Sequence, residues 1–252
     1  MRIAVAGGTG WLGKHVVEEV RATGHEAVVL SRSCGVDLTT GQGLDDALRD
    51  VPRIIDVTNL ATTNRKRSEA FFNAATSHLL EAGRTAGIEH HVALSIVGAT
   101  DIDFGYYFGK RRQEELVLAS GLPTTVLRAT QFHEFAAQML GEPGTGGPFA
   151  VVPQMYSQPV AAREVAAALV RTVLGPAAGM APELAGPEKR HMTAMVRQLK
   201  SATGRRKVIL PVRAPGSVGR RMAGGGLLPR GKGPRGKQTF DEWVDEYVRA
   251  LN

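Results

Sequence analysis

Cysteine is almost absent from this sequence, since Cys34 is the only one among 252 residues. One cysteine cannot form an internal disulfide, which predicts a reducing compartment, the cytoplasm. Long apolar runs are missing too, and none approaches the roughly 20 residues that a membrane-spanning helix requires. The chain starts with the short stretch IAVA and reaches a glycine at position 7, which does not fit a secretory signal. We therefore expect a cytoplasmic protein with no membrane association.

The patterns of metal sites and of one large hydrolase class are missing as well. Neither the histidines nor Cys34 have the spacing of metal ligands. The turn G-x-S-x-G, which carries the nucleophile in many hydrolases, does not occur. We therefore predict no metal site and no hydrolase of that type.

Acidic residues are lacking from one long basic segment. Between Lys200 and Lys237 lie 11 of the 31 Lys and Arg residues and no Asp or Glu, whereas the rest of the chain holds 20 basic and 24 acidic residues. Three interpretations are open: a solvated glycine-rich surface, attraction of an anionic ligand, or attraction of nucleic acid. Because no recognition helix, zinc finger or aromatic RNA-binding signature accompanies the segment, we expect no nucleic-acid partner.

Short apolar runs alternate with helical patterns through the first half of the chain. Strands are predicted at RIAVAG, EAVVLS, RIIDVTN, HHVALSIVG and LPTTVLRAT. Helices are predicted between them, among others over Leu44–Arg49, Ser68–Ala86 and Tyr106–Ala119. This alternation predicts an α/β fold, a Rossmann-like doubly wound parallel sheet with helices on both faces.

The alternation is less regular in the second half. GEPGTGGP predicts a loop, a helix is expected to begin near Ala162, and the Gly-, Pro- and Arg-rich stretch from Arg213 to Lys237 is predicted to be irregular. TFDEWVDEYVRALN predicts an amphipathic terminal helix. We assign residues 1–135 to a Rossmann core and residues 136–252 to a small C-terminal α/β lobe, interleaved with the core and not an independent domain.

The glycine-rich turn GGTGWLG follows the first predicted strand and opens a helix. Its glycines form the pattern G-x-x-G-x-x-G, in which the first permits a tight turn, the second a close approach of phosphate, and the third close packing of helix on strand. Such a turn presents backbone N–H groups and a helix N-terminus to a pyrophosphate. We assign the following residues to a dinucleotide site: Gly7, Thr9, Gly10, Trp11, Leu12 and Gly13.

The end of the second strand selects the dinucleotide. A carboxylate there would bind a ribose 2′-hydroxyl and repel a 2′-phosphate. The strand ends instead with Ser31 and Arg32, and no acid follows until Asp37. Since arginine pairs with phosphate in a forked geometry, the sequence favours NADP(H) over NAD(H). Asp37 is placed either to hydrogen-bond adenine or in a solvated turn.

These motifs resemble the short-chain dehydrogenase/reductase superfamily, in the atypical or extended branch that includes NmrA-like and isoflavone-reductase-like proteins. The resemblance covers about 130 residues, from GGTGWLG through SR after the second strand, DVTN after the fourth, ALSIVG on the fifth and YYFGK on the next helix to SGLPTTVLRATQF. It implies a Rossmann core, a bound nicotinamide nucleotide and a C-terminal lobe that binds the substrate.

The resemblance also implies a catalytic group. In the superfamily a tyrosine exchanges a proton with the substrate oxygen, a lysine four residues later binds the nicotinamide ribose and lowers the phenol pKa, and a serine ending the fifth strand holds the substrate carbonyl. Tyr106, Lys110 and Ser95 match these positions. Tyr107 packs near the substrate or takes the place of Tyr106, and a purely structural Tyr–Lys pair is the further alternative.

Other candidate residues follow the central strands. Thr58 and Asn59 are placed to contact the nicotinamide ribose, or else form a simple turn at the end of a strand. Gln131, Phe132 and His133 follow LPTTVLRAT and are tentative substrate contacts, with a solvated loop as the alternative for His133.

The sequence therefore predicts an NADPH-dependent oxidoreductase that transfers hydride to a small carbonyl or conjugated compound, with Tyr106 as the proton donor. Two alternatives remain open. One is a non-catalytic, NmrA-like redox sensor that binds NADP(H), and the other a non-redox, NADP-dependent epimerase or dehydratase. We expect a small-molecule substrate and a monomer or homodimer.

Overall fold

The computed structural model describes residues 1–141 and 147–251. Five residues of the predicted loop GEPGTGGP, 142–146, therefore lie outside the described residues. The strands are β1 Arg2–Ala6, β2 Glu26–Leu30, β3 Arg53–Asp56, β4 His90–Ile96, β5 Thr124–Ala129, β6 Phe149–Pro153, β7 Tyr156–Ser157, β8 Gly179–Met180, β9 Arg190–His191 and β10 Val208–Val212. The α-helices are α1 Trp11–Ala22, α2 Leu44–Ala47, α3 Arg65–Ala86, α4 Gly105–Ala119, α5 Phe135–Leu140, α6 Ala162–Leu174, α7 Met192–Ala202, α8 Gly216–Ala223 and α9 Phe240–Arg249.

The main sheet has six strands in the order β2-β1-β3-β4-β5-β8. Strand β1 pairs in parallel with β2 on one side and with β3 on the other, which makes its carboxyl end the point where the direction of winding changes. Both faces are covered, because side chains of β1 that point to opposite faces, Ala4 and Val5, are each fully buried. The predicted doubly wound α/β fold is confirmed.

The resemblance counts the strand before DVTN as the fourth and the strand of ALSIVG as the fifth, which is one too many in each case. The GVDL stretch forms no strand, and its Asp37 makes only an isolated antiparallel bridge with Gln42. DVTN therefore follows the third strand, and Ser95 lies on the fourth. Between β2 and β3 the chain forms a turn and the four-residue helix α2. Leu44 of this helix belongs to the same buried hydrophobic cluster as Leu30 and Ile54 of the sheet.

Helix bounds follow local signals. The side chain of Asn64 accepts a hydrogen bond from the backbone N–H of Arg67 and so caps α3 three residues before the predicted start. Helix α9 begins with a capping box between Thr239 and Glu242. None of the helices in the described ranges is long and apolar enough to cross a bilayer.

The chain forms two compact units. The first comprises Met1–Arg128 and Arg163–Ala181 and contains the six-stranded sheet; the second comprises Ala129–Ala162 and Pro182–Asn252. The first unit thus includes a segment from the half of the chain that the sequence analysis assigned to the lobe, and the division at residue 135 stays a prediction.

The second unit contains two small sheets, β10-β6 and β7-β9. The prediction that Arg213 to Lys237 is irregular is wrong in part, because residues Gly216–Ala223 form α8. Gly and Pro disfavour helices, but here packing prevails. Met222 is buried, and a Cβ on Gly219 would overlap the carbonyl oxygen of Ala214.

Candidate active site

The glycine turn between β1 and α1 is shaped by close backbone approaches. Gly7 has a φ of +79°, and a Cβ built on it would lie 3.1 Å from the carbonyl oxygen of Val57 and 3.2 Å from the Cα of Thr58. A Cβ on Gly13 would overlap the carbonyl oxygen of Gly7. The turn can therefore have no side chain at either position.

The helix that follows this turn starts at Trp11, and its N-cap residue, Gly10, provides no side-chain cap. Leu12 is buried in the unit, whereas Thr9 and Trp11 are exposed. An uncapped helix N-terminus beside a glycine turn suits an anionic group such as a pyrophosphate. The residues present fit the dinucleotide that the sequence predicts, although which residues contact it stays a prediction.

The residues that the sequence predicts to select the cofactor lie at the end of β2, on an exposed turn. Ser31 precedes a short 3-10 helix, Arg32–Cys34, and the Arg32 side chain is exposed. The carboxylate of Asp37 accepts hydrogen bonds from the backbone N–H and the hydroxyl of Thr39 at 2.8 and 2.6 Å. These bonds lower the pKa of Asp37. Arg32 is exposed and also attracts the carboxylate of Asp37, which is engaged within its own turn.

Buried polar groups lie at the carboxyl edge of the central strands. The strand register pairs Ala6 with Asp56, and Asp56 with Ala93. Thr58 follows Asp56 by two residues and Ser95 follows Ala93 by two residues, so the two lie side by side at the carboxyl ends of neighbouring strands. Both are 4% exposed, and neither hydroxyl has a hydrogen-bond partner among the described residues. Buried hydroxyls without partners are a costly arrangement that a bound ligand would relieve. Asn59, by contrast, is exposed.

Lys110 is a buried cation at the same edge, with 2% of its surface exposed. Its ammonium donates to the carbonyl oxygen of Leu94 and the amide oxygen of Gln113, both at 2.8 Å, and to the carbonyl oxygen of Thr58 at 3.4 Å. Burial lowers its pKa to about 8, while the carboxylates of Asp56 and Glu114 act in the opposite direction.

Tyr106 is half-buried beside this cation. The Lys110 nitrogen lies 6.0 Å from the centre of the Tyr106 ring and 4.7 Å from that of Phe72, which itself packs edge-on against Tyr106. Burial, then Tyr107 and Asp56, raise the pKa of the Tyr106 phenol above its usual range. Lys110 is not among the groups that shift the phenol pKa, and its expected lowering of that pKa stays a prediction.

Gly109 lies one residue before the lysine and explains how α4 reaches this position. A Cβ there would overlap the Ser68 hydroxyl and the Phe72 ring of α3. The low helix propensity of glycine is thus offset by a close approach of two helices. Tyr107, next to Tyr106 along the helix, is buried at 5% exposure.

The tentative substrate residues belong to the second unit. Gln131 is buried, and its side-chain amide has no hydrogen-bond partner among the described residues. Phe132 is half-buried and forms a backbone bridge with Val160. The imidazole of His133 is 3.0 Å from the carbonyl oxygen of Gln238 through its Nε2 atom and packs near Phe240. The alternative of a solvated loop histidine is wrong, because only 1% of His133 is exposed.

Sequence reasoning missed two polar contacts of α4. Gln113 bridges Lys110 to Asp56, and the guanidinium of Arg128 binds both carboxylate oxygens of Glu114 at 2.8 and 2.6 Å. The signals were present: an Asp inside the apolar strand RIIDV, and polar residues three and four positions after the lysine on the same helix.

Comparisons with known proteins agree with this geometry. The model of the NAD dependent epimerase/dehydratase family matches residues 3–100. The Epimerase family protein SDR39U1 of Bos taurus is 34% identical over 90 residues, which make up 34% of this chain and 30% of that protein. The chain thus matches less than a third of that relative's length.

Solved structures share the fold. A short-chain dehydrogenase/reductase superfamily protein of Agrobacterium tumefaciens with bound NAD superposes with a TM-score of 0.72 at 19% identity, over 100% of this chain and 97% of the other. The NADPH-dependent quinone oxidoreductase QOR2 of Escherichia coli, complexed with NADPH, gives 0.69 at 20% identity, over 97% and 99% of the two chains. Residues 3–100 are thus similar to the NAD dependent epimerase/dehydratase family, and the chain shares the Rossmann-like α/β fold of these solved structures, as the sequence predicts.

Proposed function

We propose that the protein is an NADPH-dependent oxidoreductase that reduces small carbonyl or conjugated compounds such as quinones and enones. The observation that carries the proposal is the buried ammonium of Lys110, which lies beside the Tyr106 ring and donates to the carbonyl oxygen of Leu94, the residue before Ser95, at the carboxyl edge of β4. Ligands of doubly wound sheets bind at this edge.

The cofactor fits the residues of the first unit. The glycine turn and the N-terminus of α1 would hold the pyrophosphate, and the exposed guanidinium of Arg32 would bind the 2′-phosphate of NADPH. The unpartnered Thr58 hydroxyl and the ammonium of Lys110 would bind the nicotinamide ribose. When bound, the nicotinamide supplies the hydride.

The phenol of Tyr106 is suited to donate a proton. A phenol is protonated at neutral pH and can deliver its proton to the substrate oxygen as that oxygen gains charge. Because burial raises the pKa of the Tyr106 phenol, the transfer depends on a group that stabilises the phenolate. The ammonium of Lys110 would then stabilise the phenolate that is left, and the Ser95 hydroxyl would orient the same substrate oxygen. Buried charges interact strongly because little water screens them.

A non-redox reaction on a nucleotide sugar is the second candidate, and the epimerase/dehydratase family match to residues 3–100 favours it. One experiment separates the two: incubation of the purified protein with NADPH and a panel of quinones, enones, aldehydes and ketones, and in parallel with NADP⁺ and UDP-sugars. We expect NADPH oxidation with at least one carbonyl compound and unchanged UDP-sugars. Conversion of a UDP-sugar without net reduction of NADP⁺ would overturn the proposal.

The proposal has three further parts. The protein is located in the cytoplasm, it is a monomer or homodimer, and it contacts its substrate through Gln131, Phe132 and His133. Size-exclusion chromatography with light scattering tests the assembly. Crosslinking of a photoreactive quinone to the second unit, followed by peptide mapping, tests the substrate contact.

A further inference from the structure

Three polar side chains are buried together in the first unit. Asp56 at the end of β3 and Gln113 on α4 are completely buried, and Lys110 is 2% exposed. Burying a carboxylate and an ammonium is costly unless each is hydrogen-bonded, and here each is. We therefore ask how the buried Asp56 and Gln113 side chains affect the position and the charge of Lys110.

The hydrogen bonds form a chain with a fixed direction. One carboxylate oxygen of Asp56 accepts from the backbone N–H of Thr58 at 2.9 Å, and the other accepts from the Gln113 amide nitrogen at 2.8 Å. The Gln113 amide oxygen then accepts from the Lys110 ammonium at 2.8 Å. The opposite amide orientation would set N–H donors against the ammonium and an oxygen against the carboxylate. The carboxylate thus determines which Gln113 atom faces the lysine.

The amide also keeps the two charges apart. Asp56 attracts the Lys110 ammonium across space, and the Gln113 amide bonds to both; within the described residues the two charges form no direct ion pair. Two of the ammonium's bonds are 2.8 Å long, to Leu94 and Gln113, whereas the bond to the Thr58 carbonyl is 3.4 Å. The weaker bond is the one that a ligand hydroxyl would replace at least cost.

We propose that Asp56 and Gln113 are positioning residues that hold Lys110 charged and aim its third N–H at the bound nucleotide. This inference rests on the proposed function, since it assumes that Lys110 binds the nicotinamide ribose. The other ionisable groups around Lys110 are the phenol of Tyr106 and the carboxylate of Glu114, and the latter is held by Arg128. Asp56 is therefore the carboxylate near Lys110 that the described structure does not pair with a guanidinium.

The first test is Asp56→Asn, which preserves shape and removes the charge. The asparagine oxygen would keep the bond from the Thr58 N–H, so its NH₂ group would face Gln113. The Gln113 amide would then turn over, with its oxygen toward residue 56 and its nitrogen toward Lys110. We expect the Lys110 pKa to fall by about one unit, the NADPH affinity at neutral pH to drop, and its alkaline loss to move to lower pH. Asp103→Asn, which removes an exposed carboxylate paired with Arg111 of α4, is the control and should change neither.

The Lys110 pKa is measured by NMR of ¹³C-labelled lysine, with the resonance assigned through its loss in Lys110→Met. This readout does not depend on turnover, so it separates failure of the inference from failure of the proposed function. An unchanged Lys110 pKa and unchanged NADPH affinity in a folded Asp56→Asn protein would overturn the inference.

A second variant covers the case in which Asp56→Asn does not fold. The double substitution Asp56→Asn with Gln113→Glu exchanges carboxylate and amide, keeps every donor matched to an acceptor, and places the carboxylate directly on the ammonium. We expect a higher Lys110 pKa than in the wild type and weaker NADPH binding, because the ammonium is then held in a direct ion pair. Wild-type values for both would contradict the inference.

Discussion

The ammonium of Lys110 donates to the carbonyl oxygen of Leu94 at 2.8 Å, which ties helix α4 to the residue that precedes Ser95 on β4. The bond spans the segment between Ser95 and Tyr106 and brings the Lys110 ammonium to the residue beside Ser95. The same ammonium lies 6.0 Å from the centre of the Tyr106 ring.

The first prediction concerns pH. Because the pKa of Lys110 is lowered to about 8, we expect NADPH binding to weaken as the pH rises through about 8 and the ammonium is lost. The ordinary lysine value is 10.5, so between about 8 and 10.5 the unfolded chain binds more protons at this position than the folded one. This group therefore destabilises the fold below about pH 8, and its cost diminishes as the pH rises toward 10.5.

Lys110→Met removes both effects. NADPH titrations and urea denaturation across this pH range, on the wild type and Lys110→Met, measure them. Identical pH profiles for the two proteins would contradict the assignment.

The second prediction distinguishes the two tyrosines. Tyr106→Phe should reduce turnover by about 100-fold or more, the usual contribution of a general acid, with NADPH affinity little changed. Tyr107→Phe is the matched control and should be mild. Steady-state kinetics with the best substrate of the carbonyl panel measure both. A larger loss in Tyr107→Phe would transfer the role of acid to that residue.

The third prediction concerns cofactor choice. Arg32→Ala should weaken NADPH binding much more than NADH binding, since only NADPH has a 2′-phosphate to lose its partner. Arg21→Ala, an exposed arginine in the last turn of α1, removes the same charge away from the turn and should affect both nucleotides equally. Calorimetric titrations of the wild type and of each variant with NADPH and with NADH measure these affinities. Equal losses of affinity for NADPH and NADH in Arg32→Ala would contradict the proposed cause of the cofactor preference.

The fourth prediction concerns helix packing. Gly109→Ala forces a Cβ into the Ser68 hydroxyl and the Phe72 ring, and we expect a loss of about 1–3 kcal/mol in the free energy of unfolding despite the better helix propensity of alanine. Gly175→Ala, where a Cβ would meet its nearest neighbour at an ordinary 3.5 Å, serves as the control. Urea denaturation measures both. A Gly109→Ala protein as stable as the wild type would show that the helices can move apart.

The local patterns predicted most of the first unit. The glycine turn, the alternation of strands and helices, and the spacing of Tyr106 and Lys110 are short-range signals, and the structure places them as expected. Asp56 in RIIDV and Gln113 three residues after Lys110 are visible in the sequence, but their contact is not, because it joins residues 57 positions apart along the chain. The direction of the Tyr106 pKa shift depends on how much water the fold excludes, which spacing does not reveal.

The measurement that tests the central claim most directly is the fate of the nicotinamide C4 hydrogen. NADPH deuterated at C4 is incubated with the protein and an enone or ketone that it accepts, and the product is analysed by mass spectrometry. We predict one deuterium bound to carbon in the product, and none when Tyr106→Phe is assayed over the same time. Tight NADPH binding without deuterium transfer to any compound of the panel would contradict the account.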